Sequence, residues 1–238
     1  MSRRELLIQQ YVSHYKRVNS GLLPVPSLQN FADMRLMYGP LIAPLPSGSR
    51  VLDVGCGTGM LLSWLARQPG LIPVGVDSSI TQTEQARRHL PNTEIVCSDG
   101  LSYLREHPRF FAGIWCLDVL EHLPEVDLCL EWVEAAWAAL RPGGFFLCRA
   151  PNGANLTASY CRYMDLTHER CFTSASLLQL LEAGGFQECR VVPIRTARLT
   201  GRLRLALEAV LHRVIFRICG HGLESTFTYN ICAVGYRQ

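Results

Sequence analysis

Between Val51 and Gly59 the chain reads VLDVGCGTG, an apolar, β-branched run that passes directly into a glycine-rich turn. Val51-Leu52-Asp53-Val54 has the makeup of a short strand buried on both faces, as in the middle of a parallel sheet. Gly55, Gly57 and Gly59 follow at alternate positions, where a side chain would hold the backbone away from a bound molecule. Thr58 is placed to cap the next helix, whose apolar positions begin with Met60, Leu61, Leu62 and Leu65. A strand, a glycine turn and a helix N-terminus make a cradle for a nucleotide-like ligand.

The dinucleotide fingerprint spaces its glycines GxGxxG. Here the spacing is GxGxG and an acid, Asp53, precedes the first glycine. DVGCGTG resembles motif I of the class I S-adenosylmethionine-dependent methyltransferases. The downstream residues fit the same pattern. A second strand, Leu71 to Val76, ends in Asp77, an acid able to accept both ribose hydroxyls of an adenosine, with Ser78 beside it. A third strand, Thr93 to Cys97, ends in Ser98-Asp99-Gly100; the resemblance implies that Asp99 binds the adenine amino group and the neighbouring backbone the ring. Phe111 to Cys116 is a fourth apolar run, followed by Leu117-Asp118-Val119-Leu120-Glu121-His122-Leu123, which matches the family's segment facing donor and substrate. Arg141-Pro142-Gly143-Gly144 then introduces a fifth strand, Phe145 to Arg149, as the family's RPGG turn does. The donor-binding set so implied is Asp53, Gly55, Cys56, Gly57, Gly59, Asp77, Ser78, Asp99, Gly100, Leu117 and Asp118. Arg35, within Met34-Arg35-Leu36-Met37-Tyr38, joins it by likeness to the ubiquinone-biosynthesis O-methyltransferases, where an arginine so placed pairs with the donor carboxylate; a solvated helix residue is the equal alternative.

From 50 to 149 strands and helices alternate, which implies a parallel sheet with helices on both faces. Residues 3–18 and 28–43 read as helices, joined by a loop at 22–26, and 1–46 is expected to form a helical lid on a methyltransferase domain spanning 47–238. Residues 151–172 read as an irregular substrate loop, 173–183 as a helix ending at Gly184-Gly185, 186–192 as a strand and 226–236 as the last strand. The resemblance implies a Rossmann-like α/β fold whose seven-strand, mostly parallel sheet carries an antiparallel last strand. At 238 residues and 48% hydrophobic the chain can bury one full α/β core. A net charge of +3 is too small to argue for nucleic acid. Residues 1–20 carry Arg3, Arg4, Lys16 and Arg17 but no apolar core, so no secretory leader is expected. Ten cysteines without a CxxC pair suit a reduced, cytoplasmic protein without zinc, with Cys97, Cys116 and Cys148 as small buried hydrophobes.

Methyl transfer from a sulfonium is an in-line displacement, so the protein must align the acceptor within about 3–3.5 Å of the methyl and exclude water. A hydroxyl acceptor also needs a base. His122 follows the fourth strand at the ligand-binding edge, and His168 lies in the irregular loop; either could serve, with Asp165 or Glu169 orienting it. His14, His89, His107, His212 and His221 read as surface or capping residues, and Tyr11 and Tyr15 as closing over the donor or packing. The segment DLTHERCFT resembles methyltransferases of bacterial surface-polysaccharide gene clusters, and the ubiquinone enzymes share its Thr-His. The acceptor expected is therefore a sugar, nucleotide sugar or lipid-linked glycan, with a phenolic or quinone precursor as runner-up; a non-catalytic subunit of a glycan-assembly complex is the reading of another class. Finally, Arg195, Arg198, Arg202, Arg204, Arg213 and Arg217 interleave with apolar residues across 195–222, opposed by Glu208 alone. Helix packing or homodimerisation is the favoured reading of this insertion, and peripheral contact with the inner face of the membrane is the other.

Overall fold

The computed structural model describes Leu7, residues 26–221, Glu224 and residues 226–238. The helix expected over 3–18, with His14, Tyr11 and Tyr15, and nearly all of the loop at 22–26 lie outside the described residues, apart from Leu7. Ser27 opens α1 (Leu28–Ile42) by a capping box with Asn30. The buried run at Val51 becomes β1 (Ser49–Val54), and the chain then alternates: α2 (Met60–Leu65), β2 (Leu71–Asp77), α3 (Ile80–His89), β3 (Glu94–Cys97), α4 (Gly100–Glu106) and β4 (Phe111–Leu117). A 3-10 turn at Leu120–His122 leads to α5 (Val126–Ala139), β5 (Leu140–Pro151), α6 (Ala158–Tyr163), α7 (Ser174–Ala183), β6 (Gln187–Val192), α8 (Leu199–Ile218) and β7 (Asn230–Tyr236).

The sheet runs β3-β2-β1-β4-β5-β7-β6. β7 lies antiparallel between β5 and β6, and the pairs β1–β2, β1–β4, β2–β3 and β4–β5 are parallel. Strand alternation divides the core between the two faces. Leu52, Val54, Ile114 and Phe146 pack beneath Trp132, Val133, Leu177 and Leu181. Val51, Trp115, Phe145 and Leu147 pack beneath Leu61, Trp64, Leu65 and Tyr38 of α1. Tyr38 meets Trp64 and Trp115 edge-on, at 6.1 and 6.2 Å between ring centres. All the βα turns of the parallel strands therefore open at one edge, where α1 closes over them.

Five local expectations change. Thr58 caps nothing: Gly59, in the left-handed region at φ +87°, occupies the N-cap of α2. The last strand starts at Asn230 rather than at 226. The loop 151–172 holds one short helix, α6, and its ends are zipped by Gly153 N–H to the Phe172 carbonyl and Phe172 N–H to the Pro151 carbonyl. His212 is buried, accepting the Leu156 N–H on Nε2 at 2.9 Å. Cys116 and Cys148 are buried as expected, whereas Cys97 is exposed.

Candidate active site

The turn after β1 forms the floor of a cavity of about 1130 Å³ at the carboxyl edge of the sheet. Gly55 and Gly57 take left-handed φ values of +76° and +55°, and a Cβ on Gly55 would lie 2.3 Å from Val119 Cγ2. Asp77, at the end of β2, ties two loops together: Oδ2 accepts the Gly57 N–H at 2.9 Å and Oδ1 the Ser79 N–H at 2.8 Å. Burial raises its carboxyl pKa even so. Asp53 is buried below the turn, and burial, followed by the charge of Asp77, pushes it up to about 7. Asp99 caps α4 through the Ser102 N–H at 2.8 Å. Asp53, Asp77, Asp99, Asp118 and Asp33 all line the cavity. Such an acid-lined cradle accommodates a sulfonium cation and hydroxyl donors. S-adenosylmethionine fits these residues.

The opposite wall follows β4. Asp118 adopts φ +57°, unusual for a residue with a side chain, and its carboxylate takes a forked pair of hydrogen bonds from Arg149, one of them Nε to Oδ1 at 2.9 Å. His122 stands beside it. Thr167 Oγ1 donates to Asp165 Oδ1 at 2.7 Å and therefore accepts from His122 Nδ1 at 2.8 Å. This chain places the His122 proton on Nδ1 and its basic lone pair on Nε2. Burial, and after it the neighbouring His168 ring, lower the His122 pKa to about 4. Burial opposes the ionisation of Asp165, but the Thr167 hydroxyl and N–H and the two imidazoles bring its pKa below the ordinary value. His168 meets His122 edge-on at 4.8 Å and donates its Nδ1–H to the Cys161 carbonyl at 2.9 Å. Glu121 is buried beside them, and burial, then Asp118, raise its carboxyl pKa well above the usual range. One ligand atom each of Glu121, His122 and His168 lies within 4.8 Å of the others, a spacing at which a metal ion could be held.

Of the residues singled out by sequence, Asp53, Gly55, Cys56, Gly57, Asp77, Ser78, Asp99, Gly100, Leu117, Asp118 and His122 share this one cavity. The others lie off the cavity wall. Arg35 is exposed and off the wall, because α1 turns Asn30, Asp33, Met34, Met37 and Tyr38 inward. Among the described residues, the guanidiniums that line the cavity are Arg149, Arg195 and Arg204. Gly59 packs toward Ala86 and Leu90 rather than lining the cavity. His168 and Asp165 stand behind the wall, and Glu169 faces Arg162 at 3.9 Å instead of an imidazole. Thr167 and Arg149 escaped the sequence reading. Each had a signal: Asp165-Leu166-Thr167 has the spacing of an Asx turn, and Arg149 is a charge inside an apolar strand.

Residues 29–189 match the family model described as a methyltransferase domain. The chain belongs to this methyltransferase family. Among curated relatives, it is 33% identical over 116 residues to the ubiquinone biosynthesis O-methyltransferase of Shewanella sp. (strain ANA-3), a match covering 47% of this chain and 48% of the relative. It is 26% identical over 183 residues to the protein of the same name from Aliivibrio fischeri (strain MJ11), covering 71% and 76%. The chain thus spans about half the length of the first relative and about three quarters of the second. Two solved structures share the methyltransferase's fold. A SAM dependent methyltransferase from Archaeoglobus fulgidus superposes with TM-score 0.69 at 18% identity, over 95% of this chain and 100% of that one. Phosphoethanolamine N-methyltransferase 2 of Haemonchus contortus, in complex with S-adenosyl-L-methionine, gives 0.63 at 18%, over 100% and 60%. The seven-strand sheet with antiparallel β7 is the Rossmann-like methyltransferase fold that the resemblance implied.

Proposed function

We propose that this methyltransferase transfers the methyl group of S-adenosylmethionine to a hydroxyl oxygen, with His122 as the base. The observation that carries the reading is the Asp165–Thr167–His122 chain on the wall of the acid-lined cradle. S-adenosylmethionine is the methyl donor, and when bound it supplies an electrophilic methyl on a sulfonium. Asp77 would accept the ribose hydroxyls and Asp99 the adenine amino hydrogens, and the Gly55–Gly57 turn would let the backbone approach. His122 Nε2 takes the acceptor's proton as the new O–C bond forms and the S–C bond breaks. Thr167 and Asp165 hold the ring in the tautomer that leaves Nε2 basic.

A base held near 4 is weak, which favours an acidic hydroxyl. A phenol, with an ordinary pKa of about 10, meets that requirement better than an aliphatic sugar hydroxyl. The names of the curated relatives support the same choice, so a phenolic precursor becomes the first reading. A sugar or lipid-linked glycan is the second, supported by Arg195 and Arg204 in the cavity, which suit phosphate groups. The test is mass-spectrometric detection of methylated product from catechol-type phenols and from nucleotide sugars, each with saturating donor. Methyl ethers of the phenols are expected. Methylated sugars alone select the second reading. Donor binding without product from either class contradicts the base assignment and returns the non-catalytic subunit to the front.

A further inference from the structure

α8 is twenty residues long, about 30 Å of helix, and it has two unlike faces. One packs inward: His212 is buried, Glu208 accepts from Asn155 Nδ2 at 2.9 Å, and Arg204, Leu205 and Glu208 reach the cavity wall. The other carries Leu199, Leu203, Leu207, Val210, Val214 and Ile218 in a row along its full length. Every one of these is half or more exposed, from 50% at Val214 to 79% at Ile218. Spacings of three and four residues keep them in one stripe. Arg202, Arg213 and Arg217 border the stripe, all exposed, and the single acid of the helix is turned away from it. Among the described residues, packing inside the molecule therefore accounts for one face of the insertion and leaves the apolar stripe exposed.

We propose that this stripe lies on an anionic lipid surface, with the leucines in the acyl boundary and the arginines at the headgroups. Charge decides between this partner and a second copy. A two-fold pairing of α8 would set arginines against arginines with no acid on the face to offset them. Anionic headgroups complement them instead. The loop tied to α8 through Asn155 and the Leu156 N–H adds exposed Tyr160, Tyr163 and Leu166, side chains suited to a headgroup region. No helix among the described residues is long and apolar enough to cross a membrane, so the contact is peripheral. Because α8 also lines the cavity, docking sets the cleft beside the bilayer. The proposal uses the methyltransferase cleft only for that placement.

Co-sedimentation with vesicles of phosphatidylcholine plus phosphatidylglycerol, and with phosphatidylcholine alone, tests this without any methyl transfer. The whole chain is expected to pellet with the anionic vesicles only, and less at raised ionic strength. Leu203→Glu with Leu207→Glu, and separately Arg202→Glu with Arg213→Glu, should each weaken partitioning roughly tenfold or more. Both variants should keep donor binding, which shows that they are folded. Two results overturn the proposal: wild-type chain that binds donor yet stays in the supernatant, or a stable dimer in sedimentation equilibrium that Leu203→Glu with Leu207→Glu dissociates. Turnover on a water-soluble phenol, measured separately, fails only if the function proposed above fails.

Discussion

At the carboxyl edge of the sheet, Asp165 orients Thr167 and Thr167 orients His122, so the imidazole reaches the cavity with its proton already placed. His122→Ala should lower kcat by about 10²- to 10⁴-fold while leaving donor affinity unchanged. Thr167→Val should lower kcat less and move the acid limb of the pH–rate profile, since it removes the acceptor that fixes the tautomer. In the wild type that limb should lie well below the 6.5 of an ordinary histidine, near the 4 of His122, leaving kcat flat from neutrality to about pH 5. A limb near 6.5 would contradict the assignment. The sequence could not separate His122 from His168, because both fall at the same edge and only packing puts one ring on the wall and the other behind it. Arg35 faces away from the cavity for a related reason. Met34, Leu36, Met37 and Tyr38 spread apolar character around α1, so the sequence leaves its phase open by a residue.

Among the elements, the parallel strands were legible because burial on both faces makes each a continuous apolar run, and their glycine and acid termini mark where each ends. Helix–sheet contact was less legible. Gly75 sits in the middle of β2, where a Cβ would come 2.3 Å from Leu62 Cδ1 and 3.0 Å from Cys56 Sγ. The missing side chain is what lets α2 lie close on the sheet and hold the donor turn in place. Gly75→Val should therefore destabilise the fold by about 1–3 kcal/mol, read as a lowered urea midpoint, and should also weaken donor binding. An unchanged midpoint would mean that α2 has room to move. Thr58 failed as a cap because the left-handed Gly59 completes the turn with backbone alone, and a Thr beside a Gly does not reveal which of them ends the loop. The span and single-helix form of α8 were likewise open to sequence. Its basic, apolar composition was plain, but which face the rest of the chain would cover depends on Asn155 and Leu156, more than forty positions earlier.

For the molecule as a whole, a buried carboxyl and a half-buried imidazole pull stability in opposite directions across one pH window. Asp53 is protonated in the fold up to about 7 but ionises near 3.8 when unfolded, so its contribution is present below 3.8 and is lost as pH rises through 7. His122 has a depressed folded pKa, so its contribution is present above 6.5 and is lost as pH falls through about 4. Asp53→Asn removes the first slope alone. Relative to wild type it should gain stability between pH 5 and pH 8, by up to a few kcal/mol on the order implied by the shift, measured by urea unfolding at both values. A constant difference would show that Asp53 is ionised in the fold throughout. The order of the sheet could be expected only through resemblance, since no local pattern tells β7 to insert between β5 and β6. The acceptor stayed out of reach for a different reason: its cavity is assembled from α1, the loop 151–172, α8 and the start of β7, which no single motif spans. Calorimetric titration of the wild-type chain and of Asp77→Ala with S-adenosylhomocysteine tests whether the acid-lined cradle is a donor site. Saturable binding to the wild type, weakened about tenfold or more in Asp77→Ala, is the predicted result. No binding to the folded wild type, or equal binding to both, would contradict it.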